Sequence, residues 1–159
     1  MFQKTAYAAS REQNYDLVIS QLDALLHGET DEIANLSNAS ALLNQFLDRI
    51  NWVGFYLYKD GELVLGPFQG LPACVRIPLS RGVCGKAASL KETVRVENVH
   101  EFPGHIACDA ASQSEIVIPM VKDGQLLGVL DIDSPELNRF DEVDQAYLEK
   151  FVAQLCVHL

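Results

Sequence analysis

The sequence predicts an α+β domain: an antiparallel sheet flanked by helices at the N- and C-terminal ends of the chain. Apolar residues recur at the helical period before residue 50 and again after residue 140. Between those stretches the pattern changes to short strand-like runs, with hairpin turns at Asp60-Gly61 and Asp123-Gly124. The 159 residues suffice for one domain with a real core, and 48% apolar against 21% charged residues is ordinary globular composition.

Taken in order, residues 11–27 and 32–50 read as amphipathic helices. In the second, Leu36, Leu42, Leu43, Phe46, Leu47 and Ile50 follow the helical period; Asp31 is its candidate cap and Asn38-Ala39-Ser40 a candidate break. Candidate strands cover 52–59, 62–68, 73–78, 93–96, 114–121 and 125–133, interrupted by a helix across 81–90. Residues 97–112 form a loop of about 16 residues, long enough inside a compact domain to suggest a function. The last helix spans 140–157, its start marked by Asp141. Cys156 shares its apolar stripe with Phe151, Val152 and Leu155, so it is expected in the core. The expected organisation is a single domain over 1–159 with a helical extension at about 1–30.

Net charge is −10 and the pI is about 4.7, which argues against nucleic acid and against anionic membrane surfaces. The first residues, Met1-Phe2-Gln3-Lys4-Thr5, lack the apolar stretch of a signal peptide. No apolar run approaches the roughly 20 residues of a membrane span. A cytoplasmic protein is expected.

Three cysteines, Cys74, Cys84 and Cys108, lie in or beside segments rich in turn formers, such as Gly70-Leu71-Pro72 and Pro103-Gly104. In a cytosolic chain such cysteines are catalytic, metal-binding or simply packed. Their spacings of ten and twenty-four residues lack the close pairs that zinc sites use, so no metal is expected. A redox pair and packed free thiols both remain open.

An acidic cluster follows in Leu127-Gly128-Val129-Leu130-Asp131-Ile132-Asp133, where regular alternation puts both aspartates on one face with Leu127 and Val129. Such carboxylates stand either at a solvated rim or in a pocket. The place of Glu115, on the preceding strand, depends on the turn. A two-residue Asp123-Gly124 loop pairs Glu115 with Ile132 and separates the acids. A three-residue loop, with Gly124 left-handed in a bulge, pairs Glu115 with Asp131 and gathers three carboxylates; this second register is the expected one. The aromatic run Trp52-Val53-Gly54-Phe55-Tyr56 points residues 52, 54 and 56 one way, with a slot at the glycine. Core packing of the rings and a ligand wall both fit that pattern.

Several of these segments occur together in a recognisable set. Asn51-Trp52-Val53-Gly54-Phe55-Tyr56, Gly66-Pro67-Phe68-Gln69-Gly70, Gly82-Val83-Cys84-Gly85, His105-Ile106-Ala107-Cys108-Asp109 and Gly128-Val129-Leu130-Asp131-Ile132-Asp133 closely resemble the free methionine-(R)-sulfoxide reductases, stand-alone GAF-domain enzymes. The resemblance covers about residues 35–157. It implies a GAF sheet flanked by helices, a buried pocket, a homodimer, and no cofactor beyond thioredoxin as external reductant. By that resemblance Cys108 matches the attacking cysteine and Cys74 the resolving one. Cys84 matches a third cysteine that is the alternative nucleophile. Glu115, Asp131 and Asp133 match the carboxylates that hold the substrate ammonium and assist its sulfoxide oxygen; Trp52 and Tyr56 match the walls around its methyl-sulfur end.

The residue types suit that chemistry. A thiolate attacks sulfur while the oxygen takes up protons, and a carboxylic acid kept neutral by neighbouring carboxylates can donate one. The resulting sulfenic acid condenses with a second thiol to a disulfide, which a dithiol reductant reopens. His105, three residues from Cys108, is either a thiolate-stabilising neighbour or an exposed loop residue. Two rival classes are a GAF sensor that binds a small ligand without chemistry and a redox-sensing interaction protein. Neither predicts turnover of methionine sulfoxide with dithiothreitol.

Overall fold

The computed structural model describes residues 1–105 and 109–159. Each early helix begins on a side-chain cap that satisfies an otherwise unpaired N–H. Ser10 accepts from the Gln13 N–H at 3.2 Å and Gln13 reaches back to the Ser10 N–H, opening α1 (Arg11–Leu26). Asp31 accepts from Ala34 at 2.8 Å and opens α2 (Glu32–Phe46). The Asn38-Ala39-Ser40 stretch does not break α2, because the Ser40 hydroxyl bonds back to the Ser37 carbonyl. The helix stops short of the expected residue 50. Arg49 adopts a φ of 54° and its carbonyl accepts the Ser134 hydroxyl, which turns the chain into the sheet.

The described residues form a six-stranded sheet from β1 (Trp52–Lys59), β2 (Glu62–Gly70), β3 (Arg76–Pro78), β4 (Val94–Val96), β5 (Ser114–Lys122) and β6 (Gln125–Ser134). Its order is β3-β2-β1-β6-β5-β4 and every neighbouring pair is antiparallel. α3 (Gly82–Leu90) lies between β3 and β4, and α4 (Glu142–Val157) closes the fold from a capping box at Asp141 and Asp144. Strand 73–78 of the sequence reading shrinks to Arg76–Pro78, because residues 71–74 are drawn over β1. The Trp52 Nε1–H donates to the Leu71 carbonyl at 3.1 Å and the Tyr56 hydroxyl to the Cys74 carbonyl at 2.9 Å. Loop 97–112 contains a short 3₁₀ turn, Val99–Glu101; residues 106–108 lie outside the described part.

Strand alternation sorts the side chains into two cores. Val53, Phe55 and Leu57 of β1, Ile116, Ile118 and Met120 of β5, and Leu130 and Ile132 of β6 pack with α1, α2 and α4. Cys156 is buried there, as its stripe predicts. Their alternates, including Trp52, Tyr56, Val117 and Val129, face α3.

The β5–β6 hairpin corrects the expected register. Asp123 and Gly124 have φ of 52° and 77°, so the loop has two residues in a type I′ turn, and Lys122 pairs with Gln125. A bulge then lies between Met120 and Val121, which pair with Gly128 and Leu126, leaving Leu127 as the extra residue. Glu115 consequently stands opposite Asp133, and Asp131 opposite Val117. The three carboxylates still share a face, through a two-residue turn combined with a bulge. The bulge also sends Leu127 to the helix side, away from Val129 and the aspartates. Gly128 is required there because a Cβ would collide with the Tyr56 carbonyl oxygen of β1.

Candidate active site

A pocket opens on the α3 side of the sheet, bounded by β1, β5, β6, the first turn of α3, the 71–73 segment, and His105, Asp109 and Ser112. Its volume is about 40 Å³, room for a few waters. Of the residues singled out from sequence, Trp52, Tyr56, Cys84, Glu115, Asp131 and Asp133 all line it. Cys74 sits at its edge, half-buried and disulfide-bonded, with its carbonyl held by Tyr56. Cys108 lies outside the described residues.

The aromatic wall is built by β1. Trp52 and Tyr56 stack with ring centroids 5.9 Å apart, and Phe68 of β2 stacks on Trp52 at 5.2 Å. The slot at Gly54 is not open to a ligand: Phe68 pairs directly across from it, and a Cβ on residue 54 would strike the Phe68 side chain. Glycine here lets β2 approach β1. The wall is therefore both packed core and pocket lining.

The acids are crowded and dry. Glu115 and Asp131 are 5% and 6% exposed; Asp133 is partly exposed. Burial, then the Asp133 charge, pushes the Glu115 carboxyl up to about 8. Burial and the Glu115 charge raise Asp131 well above the usual carboxylate range, and burial and Asp131 raise Asp133. At neutral pH the three groups therefore hold protons among them, and Glu115 is a neutral acid able to donate. Among the described residues no lysine or arginine lines the pocket. His105 is the one basic side chain among them there, its Nε2 3.6 Å from Glu115 Oε1, and burial lowers its pKa so that it is neutral. Its partner in the described residues is thus Glu115.

Cys84 enters from α3. Gly85 allows this, since a Cβ there would meet the Pro78 and Leu79 backbone at 2.7 and 2.9 Å, so the helix can approach the end of β3. A helix N-terminus ordinarily favours a thiolate. Burial and the neighbouring Asp131 and Glu115 charges overrule it and raise the Cys84 thiol well above its usual value. In this closed state Cys84 is a poor nucleophile.

The sequence reading assigned no site role to Asn51 and Ser112. The Asn51 side-chain amide donates to Asp109 at 3.0 Å and to the Ser112 hydroxyl at 3.1 Å, and its backbone N–H donates to the Asp133 carbonyl at 2.9 Å. These bonds fasten the end of the long loop to β1 and β6 beside the acids. Single polar residues at strand ends carry no periodic signal, so no pattern in the sequence distinguishes them.

The antiparallel six-stranded sheet, with helices on both faces and a pocket of thiol, acids and aromatic rings, defines a small α+β domain. The GAF domain model matches residues 36–159. The free methionine-R-sulfoxide reductase of Escherichia coli is 58% identical over 84% of this chain and 81% of that protein. The Neisseria meningitidis free methionine-R-sulfoxide reductase, solved in complex with its substrate, is 44% identical with a TM-score of 0.94, covering 99% of this chain and 95% of that one. The reduced form of Staphylococcus aureus fRMsr is 52% identical with a TM-score of 0.90, covering 98% and 99%. The chain belongs to the GAF domain family and, within it, to the free methionine-R-sulfoxide reductases.

Proposed function

We propose that this protein reduces free methionine (R)-sulfoxide to methionine. The observation that carries the reading is the meeting of three crowded carboxylates with an aromatic wall and a cysteine thiol, Cys84, in one pocket. Such acids are costly to ionise unless a cation arrives, and a free amino acid brings an ammonium. Asp131 and Asp133 hold that ammonium, and Trp52 and Tyr56 flank the methyl-sulfur end. A cavity of about 40 Å³ is too small for the whole substrate, so the walls around Leu71, Pro72 and Ala73 part to admit it.

In the chemical step the Cys108 thiolate attacks the sulfoxide sulfur. The oxygen passes to the Cys108 sulfur, with Glu115 protonating it as it departs, and leaves methionine and a sulfenic acid. The Cys74 thiol then attacks the Cys108 sulfur; the oxygen leaves as water and a disulfide forms. Thioredoxin, a dithiol, reduces that disulfide by exchange and is itself oxidised. The disulfide already present at Cys74 supports a resolving role for it, and the closed, protonated Cys84 supports Cys108 as nucleophile over Cys84. This cycle needs a reducing compartment such as the cytoplasm. We read the 159 residues as one GAF domain with an added N-terminal helix, working as a homodimer, which sedimentation tests.

The deciding experiment supplies protein, dithiothreitol and either free or N-acetylated methionine sulfoxide, and measures methionine or its N-acetyl derivative. The free substrate should turn over and the blocked one should be very poor. Equal kcat/KM for the two overturns the ammonium site; no turnover of either overturns the reductase reading.

A further inference from the structure

The pocket holds one group that the reductase cycle above leaves without a task. Cys84 takes no part in attack or resolution there, yet it is buried at the centre of the site, 4% exposed, facing two of the acids. One ligand atom from each of Cys84, Glu115 and Asp131 lies within 4.8 Å of the other two. The three residues come from α3, β5 and β6, so their spacing in the chain of 31 and 16 residues conceals the cluster. Among the described residues Asp131 Oδ1 is buried and meets no donor from outside the cluster. A buried acceptor so left is rare and costly, and needs a reason.

We infer that Cys84, Glu115 and Asp131 form a binding site for a thiophilic divalent cation of the zinc class. One thiolate sulfur and two carboxylate oxygens from three rigid elements supply three protein ligands. That leaves a fourth, tetrahedral position open to the cavity for water. The sulfur selects zinc or cadmium over magnesium and calcium, which want oxygen alone. A dication also answers the electrostatics: among the described residues no lysine or arginine lines the pocket, and the Asp131 oxygen gains a partner from outside the cluster. The thiol proton leaves to solvent as the S–metal bond forms. A cavity of about 40 Å³ accommodates an ion and its water as it stands, whereas a whole amino acid requires the walls to open. Glu115 and Asp131 cannot serve both a metal and a substrate ammonium, so the cation inhibits reversibly. This last statement rests on the proposed reductase reading; the site itself does not.

Cadmium is the probe, because its bond to thiolate gives an ultraviolet charge-transfer band. The full-length Cys74→Ser/Cys108→Ser protein lacks the two cysteines of the proposed redox cycle and cannot turn substrate over. It should bind one Cd²⁺ per chain with that band. Adding Cys84→Ser should abolish the band, and adding Asp131→Asn or Glu115→Gln should weaken Cd²⁺ binding by about tenfold or more. Free methionine sulfoxide should raise the apparent Cd²⁺ dissociation constant in proportion to its concentration. In the unaltered enzyme, Zn²⁺ should inhibit turnover reversibly, with a chelator restoring it. No band, or a band that survives Cys84→Ser, overturns the site. Should Cys84→Ser fold poorly, undiminished affinity in both carboxamide variants overturns it equally. A band that meets all these criteria, together with no reductase turnover by the unaltered enzyme, upholds the site while the reductase reading falls. Turnover without a band does the reverse. Cd²⁺ affinity indifferent to saturating methionine sulfoxide overturns the claim of competition.

Discussion

On the helix side of the sheet, Asp144 is buried, 1% exposed, and fully occupied. It accepts the Tyr15 hydroxyl at 2.6 Å, the Arg139 guanidinium at 3.2 Å and the Asp141 N–H at 3.1 Å. On the α3 side, Asp131 is almost as buried, yet among the described residues one of its oxygens meets no donor beyond Glu115 and Cys84, and its nearest charged neighbours are other acids. The first arrangement ties α1, α4 and the chain before α4 together. The second costs stability, because like charges crowd in a dry space with nothing to offset them. Two buried aspartates in one small domain thus mark structure and function respectively, and the distinction lies in whether the lone pairs are filled. Here the satisfied aspartate holds the fold, and the one with an unfilled oxygen faces the pocket.

The sharpest test of that division is the loss of the proposed nucleophile. Cys108→Ser should abolish reduction even with excess dithiothreitol, since no sulfenic acid can form. Retained turnover there, with loss in Cys84→Ser, would move the attack to Cys84. On the opposite face Phe151→Ala should cost about 3–5 kcal/mol of stability in denaturant melts. Turnover per folded molecule should stay close to that of the parent. A large drop in kcat/KM for the folded fraction would mean that the helix-side core tunes the pocket.

Asp131→Asn offers the closest comparison with Asp144. It should raise KM by about tenfold or more, equivalent to about 1.4 kcal/mol, while leaving the melting temperature unchanged or higher at neutral pH. A melting temperature several degrees lower would make Asp131 a structural residue like Asp144.

The smallest effect is in pH. Glu115 must be protonated to donate, so turnover should fall as pH rises through about 8, and Glu115→Gln should lower kcat and lose that limb. Its folded pKa lies above the ordinary 4.5, so the native state binds the proton more tightly than the unfolded chain does. Glu115 therefore favours folding most below pH 4.5, and that contribution declines from 4.5 to about 8, by at most about 1.4 kcal/mol per pH unit. Glu115→Gln should flatten this slope. An unchanged slope would mean that Asp131 and Asp133 carry the proton instead.

What the residues determine by themselves is whatever is decided within a few positions. The caps at Asp31 and Asp141, the alternation along β1, and the turn at Asp123-Gly124 are set by neighbouring side chains and by local φ preferences, and each forms where its residues indicate. The linked motifs likewise made the family legible. Tertiary structure decided the rest. The partner of Glu115 changed from Asp131 to Asp133 in two steps: the two-residue turn moves the pairing to Ile132, and a bulge beside Gly128, which packs against the Tyr56 carbonyl of β1, moves it one residue further. Phe68 filled the Gly54 slot because β2 lies across it. Asn51, Ser112 and His105 joined the acids, and Cys84 met Glu115 and Asp131, only when separate elements converged. A side chain's local preferences reach a few residues along the chain, whereas register and convergence depend on packing between elements far apart in sequence.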